Sequence, residues 1–154
     1  MFKKVIFLTL CFFSIVTVAQ KNHKVTIAEG EEYVSRQVAS KYVSNKWTVD
    51  LDEVKKVLQN QKGKLFNVSF DRNDNPVLSR LDSGVKEGDF TLAANQVEEM
   101  VNQKELGATD LLIEEGEKES KDSTFVLSIT NSVGSKVGEY SLQLIDPCPP
   151  NCYN

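Results

Sequence analysis

The order in which helix-like and strand-like apolar patterns follow one another constrains the fold of this chain more than any other feature. Three segments carry apolar residues at spacings of three and four, which predicts amphipathic helices. These segments are 31–46, 51–62 and 90–103. Val34, Val38 and Tyr42 carry the apolar stripe of the first segment. Asp50 and Gly63 are typical of the start and the end of the second segment. Five segments alternate apolar and polar residues, which predicts half-buried strands. These segments are 65–71, 77–81, 110–114, 124–130 and 139–145, and a short run at 24–27 is a further candidate strand.

Helices and strands that occur in separate blocks are typical of α+β proteins rather than of parallel α/β folds. We therefore expect an α+β fold, in which an antiparallel sheet of one hairpin and a three-strand meander is packed by about three helices. The alternative is a pair of helix-plus-hairpin halves that share one sheet. A chain of 154 residues can bury one self-sufficient core, and no repeat or long linker divides it, so residues 20–146 are predicted to form a single domain.

The N-terminus has the layout of a cleavable secretory signal peptide. Lys3 and Lys4 precede an apolar run of fourteen residues from Val5 to Val18, and small side chains follow up to Ala19. A membrane-spanning helix needs roughly 20 apolar residues, which favours cleavage over retention as an anchor. The pattern predicts that residues 1–19 are removed and that the protein is periplasmic or extracellular.

The charge of the chain disfavours two classes of partner. Removal of residues 1–19 takes away two lysines and no acidic residue, so the formal net charge goes from −4 to −6. Nucleic acids and anionic membranes require a concentrated lysine and arginine surface, and the sequence contains no such cluster. We expect no nucleic-acid partner and no stable membrane insertion after signal cleavage.

Residues 147–154 form a C-terminal tail that is rich in cysteine and proline. Cys148 and Cys152 are the cysteines that remain after removal of the segment that contains Cys11. Because an exported chain meets an oxidising compartment, we expect a disulfide between these two residues. The alternative is a redox couple or a soft-metal site, although zinc needs two further ligands and the one histidine, His23, lies at the other end of the chain.

The segment from Asp71 to Asn75 carries oxygen-bearing side chains at alternate positions. This pattern resembles the opening of an EF-hand calcium loop and makes Asp71, Asn73 and Asn75 candidate calcium ligands. The sixth position of that loop is occupied by Pro76, which cannot adopt the positive φ that the loop requires. An ordinary hairpin turn explains the same residues, and no other cofactor is indicated.

Catalytic patterns are weak in this sequence. Histidine-dependent catalysis would have to recruit His23 from a polar lead segment. The adjacent acidic pairs at 98–99 and 114–115 point in different directions on a helix or strand. The remaining possibility is a hydrolase whose fold brings together carboxylates such as Asp71, Asp74 and Glu98.

The leading hypothesis is therefore a small exported binding protein without a catalytic centre, such as an inhibitor, an immunity-type protein or an accessory envelope protein. Its partner is predicted to be another protein, and an open sheet edge at 77–81 or 139–145 is the candidate place of contact. Tyr42 and Trp47 form a candidate ligand platform, with core packing of Trp47 as the alternative. A fold-assembled hydrolase and a calcium-binding envelope module are the other candidate functions.

Overall fold

The computed structural model of the chain describes residues 24–42, 44–84, 90–103, 107–121 and 123–144. These residues form three helices and eight strands, which confirms the α+β class. The helices are α1 (Ile27–Lys41), α2 (Leu51–Asn60) and α3 (Ala94–Val101). The strands are β1 (Lys24–Val25), β2 (Lys46–Asp50), β3 (Leu65–Phe70), β4 (Pro76–Leu81), β5 (Phe90–Ala93), β6 (Ala108–Glu117), β7 (Ser123–Asn131) and β8 (Lys136–Gln143). The predicted signal peptide and cysteine tail lie outside the described residues.

The strands form two antiparallel sheets. The larger sheet has the order β1-β8-β7-β6-β2, and the smaller sheet has the order β4-β3-β5. Within the described residues, the open edge expected at 77–81 is present in β4, whereas the one expected at 139–145 is wrong because β8 pairs with both β1 and β7. The predicted hairpin and meander are both present, but they belong to different sheets. One edge of the hairpin is occupied because β5 pairs with the side of β3 opposite β4, in the register Val68 with Phe90.

Two segments differ from the sequence expectation for the same physical reason. Residues 90–93 belong to the predicted third helix, yet they form β5, and α3 begins only at Ala94. Residues 46–50 were not predicted as a strand, yet they form β2 by pairing with β6. In both cases, pairing with a distant strand decides the conformation of a short segment whose local preference is weak.

Helix α1 begins earlier than predicted because a capping box fixes its N-terminus. The Thr26 hydroxyl accepts the Glu29 backbone N–H at 3.1 Å, and the Glu29 carboxylate accepts the Thr26 N–H at 2.8 Å. The helix ends at Lys41, where Tyr42 adopts a left-handed conformation with φ 60°. The expected continuation of this helix to residue 46 is therefore wrong.

The apolar stripe predicted for α1 is wrong toward the end of the helix, although Val34 is half-buried. Val38 and Tyr42 are 45% and 90% exposed, whereas Gly30 and Gln37 are buried. A small residue and a hydrogen-bonding residue face the sheet because the sheet surface beneath this helix is itself largely polar. Helix α1 thus packs by close approach rather than by a row of large apolar side chains.

Helix α2 follows β2 without a loop. Asp50 caps its N-terminus by accepting the N–H groups of Asp52 and Glu53, as the sequence indicates. Gly63 does not stop the helix, since the helix ends at Asn60 with an extended Gln61. Gly63 has φ 146°, and a Cβ there would lie 2.3 Å from the Leu81 carbonyl carbon, so this glycine allows β4 to pass closely.

The hydrophobic core lies between one face of the five-stranded sheet and a layer made of α2, α3 and the three-stranded sheet. We call this side of the five-stranded sheet the inner face, and it carries Leu111, Ile113, Leu127, Ile129 and Leu142. The opposing layer contributes buried residues that include Phe66, Val68, Leu92, Val97 and Met100. No helix among the described residues is long and apolar enough to cross a membrane.

Candidate functional site

The other side of the five-stranded sheet, the outer face, carries mostly small and polar side chains. Gly30 of α1 lies so close to this face that an added Cβ would be 3.0 Å from Cγ1 of Val126. Gly116 of β6 allows the same close approach from the side of the sheet, since a Cβ there would be 3.0 Å from Cβ of Tyr33. These two glycines set the close crossing of α1 over the sheet.

Hydrogen bonds replace apolar packing beneath α1. The hydroxyls of Ser128 and Ser141 lie 2.8 Å apart on neighbouring strands, and both residues are buried. Gln37 is also buried, and its side-chain amide donates to Glu115 at 3.5 Å. Hydrogen bonds therefore pair part of the outer face where the helix covers it, although the buried side-chain oxygen of Gln37 accepts no hydrogen bond from the described residues.

The part of the outer face that α1 leaves uncovered forms an open groove of about 570 Å³. We call it the outer groove. Its walls are residues of α1, β2, β6 and the β7–β8 hairpin. It is lined by Glu31, Lys46, Thr48, Asp110, Leu112, Glu114, Thr130, Asn131, Ser132, Gly134, Ser135 and Lys136.

An ion pair lies at the floor of the outer groove. The Lys136 ammonium is 2.8 Å from a Glu114 carboxylate oxygen, and each side chain is only 14% exposed. Glu31 on the rim lies 4.0 Å from the same ammonium. Because the Lys136 ammonium lies beside Glu114 and near Glu31, this part of the groove presents paired charges and hydroxyls rather than two unpaired carboxylates. Such a surface can orient a polar ligand by hydrogen bonds of both polarities.

The candidate calcium ligands lie in the β3–β4 hairpin, outside the groove. One Asp71 carboxylate oxygen accepts the N–H groups of Asn73 at 2.8 Å and Asn75 at 2.9 Å. The other accepts the Asn75 side-chain amide at 3.2 Å. The bond from the Asn75 backbone is the largest cause of a pKa for Asp71 below its usual value. Asp71 thus closes its own turn.

The β7–β8 hairpin contains the same turn with a neutral residue in the first position. The Asn131 side-chain oxygen accepts the N–H groups of Val133 at 3.2 Å and Ser135 at 3.0 Å. A carboxamide therefore performs the turn-closing role of Asp71, and turn chemistry alone accounts for the oxygen pattern. Calcium binding by Asp71, Asn73 and Asn75 stays a prediction that calorimetry at millimolar calcium can check. Among the described residues, no three or more His, Cys, Asp or Glu side chains cluster as metal ligands.

The structure separates the two aromatic residues of the candidate ligand platform. The Trp47 ring lies on the inner face, with centroids 4.6 Å from Phe70 and 5.8 Å from Phe125. Tyr42 lies past the end of α1 and is almost fully exposed. No ring contact between Trp47 and Tyr42 occurs among the described residues, and Trp47 belongs to the packing around the core.

The carboxylates considered for hydrolysis also lie apart. Glu98 on α3 forms an ion pair of 2.6 Å with Arg80, whose guanidinium donates to the Leu58 carbonyl as well. Arg80 is near the end of β4, roughly 15 Å along the strand from the turn that holds Asp71 and Asp74. This arrangement gives no support to a shared acid pair. Cys148, Cys152 and His23 lie outside the described residues, so the disulfide stays a prediction.

Sequence reasoning missed the outer groove because its walls come from elements far apart in the chain. Glu31, Glu114 and Lys136 give no local motif, and β2 was not recognised as a strand. One signal was available: residues 126, 128 and 130 on the second face of a predicted strand are Val, Ser and Thr, which indicates a covered but polar face. Comparison of the chain with protein-family models, curated proteins and solved structures gave no match.

Proposed function

We propose that this chain is an exported binding protein without a catalytic centre and that it holds a partner protein in the outer groove. The observation that carries the proposal is the groove itself, where hydroxyl, amide and charged side chains from four elements surround a paired Glu114 and Lys136. The N-terminal pattern of residues 1–19 supports export. An inhibitor, an immunity-type protein and an accessory envelope protein would all use such a surface.

The charge distribution in the groove favours a protein segment over a nucleic acid or a simple anion. Lys46 is an exposed cation on one wall, while Glu31 and Asp110 place acidic groups elsewhere on the lining. A polypeptide segment can supply both signs and backbone hydrogen bonds, whereas a polyphosphate would meet three acidic side chains. We therefore infer a partner segment that presents a carboxylate to Lys46 and a basic group to the acidic side.

The turns of the β3–β4 and β7–β8 hairpins have the same hydrogen bonds and therefore provide a matched pair of variants for a test. Ser132 lines the outer groove, and Arg72 occupies the equivalent position of the other turn, outside it. We expect Ser132→Trp to fill part of the groove and to abolish capture of a specific protein from an envelope extract or culture fluid. Arg72→Trp should leave that capture unchanged.

A photo-crosslinking amino acid at position 132 identifies the partner directly. It should label one protein, and the same group at position 72 should not label it. Equal capture by the Ser132→Trp and Arg72→Trp variants would contradict a binding role for the groove.

A further inference from the structure

Among the residues that the structure describes, no strand pairs with the outward backbone groups of β2 at the edge of the five-stranded sheet. The Asn45 carbonyl accepts the Glu115 N–H at 3.0 Å, which fixes which residues face β6. Because hydrogen-bonding direction alternates along an antiparallel strand, the backbone groups of Trp47 and Val49 point toward β6. Those of Lys46, Thr48 and Asp50 therefore point away from the sheet. These three residues are exposed.

The edge strand β4 of the smaller sheet is protected near both of its ends, in contrast to β2. The outward N–H of Arg80 donates to the Gln61 side chain at 2.8 Å, and Pro76 has no N–H to offer. A bonded N–H and a proline both hinder the pairing of a further strand with this edge. For β2, no hydrogen bond within the described part of the chain reaches the outward N–H of Lys46 or Thr48. The two edges thus differ in their readiness to accept another strand.

The outward residues of β2 are complementary to themselves. In an antiparallel pair related by a two-fold axis through Thr48, Lys46 of each copy lies opposite Asp50 of the other. Directly opposed unlike charges on an antiparallel pair are favourable, and like charges are unfavourable. A shift of two residues in either direction would lose both Lys–Asp pairs, so charge selects this register.

We propose that two copies of the chain associate through β2 in this register to form one continuous antiparallel sheet. The two Thr48 residues exchange N–H to C=O hydrogen bonds, and each Asp50 N–H donates to the Lys46 carbonyl of the other copy. The Asp50 carbonyl is committed to the first turn of α2 and takes no part. On the inner face, Trp47 of one copy lies opposite Val49 of the other, which is a favourable aromatic and β-branched pair.

The association has a consequence for the outer groove. A two-fold axis perpendicular to the sheet keeps the outer faces of both copies on the same side. Lys46 and Thr48 line the groove and also form the seam. The two grooves therefore meet across the seam and make one longer surface. In the dimer a partner carboxylate in the groove would share Lys46 with Asp50 of the other copy. The pairing of β2 does not depend on the groove having a partner, so either proposal can fail alone.

Sedimentation velocity over a range of protein concentrations tests the association. We expect the wild-type chain to pass from monomer to dimer as its concentration rises. Lys46→Asp places an acidic side chain opposite Asp50 at both ends of the seam. It should weaken association roughly ten- to hundredfold. Lys62→Asp makes the same change of charge at an exposed site away from β2 and should not weaken it.

A charge exchange tests the register. A mixture of the Lys46→Asp and Asp50→Lys variants restores both unlike pairs across the seam, so the mixture should dimerise at concentrations at which each variant alone is still monomeric. Because Asp50 also caps α2, circular dichroism must show that Asp50→Lys is folded. If Asp50→Lys is not folded, the Thr48→Pro variant is used instead. This change removes an N–H that does not bond to β6, and it should abolish dimerisation.

A wild-type chain that stays monomeric at millimolar concentration would overturn the proposal. Equal association by the Lys46→Asp and Lys62→Asp variants would overturn it as well, as would a dimer that survives Thr48→Pro.

Discussion

The two faces of the five-stranded sheet are built on different physical principles. The inner face is a continuous apolar surface, with Leu111, Leu127 and Leu142 fully removed from solvent. The outer face carries buried hydroxyls such as Ser128 and Ser141, and α1 covers it through a glycine and a glutamine. The difference shows that one face stabilises the fold, while the other is free to carry polar chemistry.

Burial of apolar area explains why the inner face dominates stability. Apolar surface removed from water contributes about 25 cal/mol per Å², whereas a hydrogen bond exchanged with water contributes only about 1 kcal/mol net. Helix α1 is attached to the outer face by close packing and by exposed or part-buried bonds, such as Ser40 to Glu117 at 2.6 Å. We therefore expect α1 to open more readily than the strands beneath it.

The largest difference between the faces should appear on truncation of leucines. Leu127→Ala removes a fully buried side chain from the inner face and should lower the free energy of unfolding by about 2 to 5 kcal/mol. Leu112→Ala on the outer face removes a half-buried side chain at the groove and should cost clearly less. Urea denaturation measures both. Equal losses would show that the outer face is also a core.

The groove ion pair should give the next effect. Glu114→Ala leaves the ammonium of Lys136, a side chain that is 14% exposed, without its close partner and should cost about 1 to 3 kcal/mol in urea denaturation. The double variant Glu114→Met with Lys136→Met removes both charges and should recover most of that loss. A double variant as unstable as Glu114→Ala would mean that the charge pair itself stabilises the outer face.

The buried hydroxyl pair should contribute less. Ser128→Ala leaves Ser141 without a described hydroxyl partner and should cost about 1 kcal/mol. Adding Ser141→Ala should cost less than a second such loss, because no unpaired hydroxyl remains. A double-mutant cycle of unfolding free energies measures the coupling. Strictly additive losses would show that the two hydroxyls do not depend on each other.

The smallest effect concerns the attachment of α1 and its dependence on pH. Bonds from the Thr26 backbone and side chain lower the pKa of Glu29 below the ordinary value of 4.5. Because the pKa of Glu29 is lower in the folded chain, the cap stabilises α1 at pH values above 4.5. This stabilisation is lost as the pH falls through the folded-state pKa of Glu29. NMR signals of α1 should therefore change before those of β7 during acid titration. In Glu29→Gln that early change should be absent.

Local sequence signals predicted much of the fold and little of the groove. The alternation of Phe125, Leu127 and Ile129 indicated a strand with an apolar side, and Asp50 indicated the start of α2. The strand nature of residues 46–50 and 90–93 could not be read in this way, since it depends on pairing with β6 and β3. The apolar pattern at Val38 and Tyr42 even pointed to the wrong side of α1.

Periodicity, turn residues and caps act over a few neighbouring residues, so the chain alone specified its α+β class, its meander and the chemistry of its turns. The order of strands in two sheets brings Glu31, Glu114 and Lys136 together and, within the described part of the chain, places β2 at an edge with no strand on its other side. Such contacts join residues far apart in the chain, and no local pattern encodes them. Tertiary packing therefore decided where the outer groove lies and which sheet edge is open.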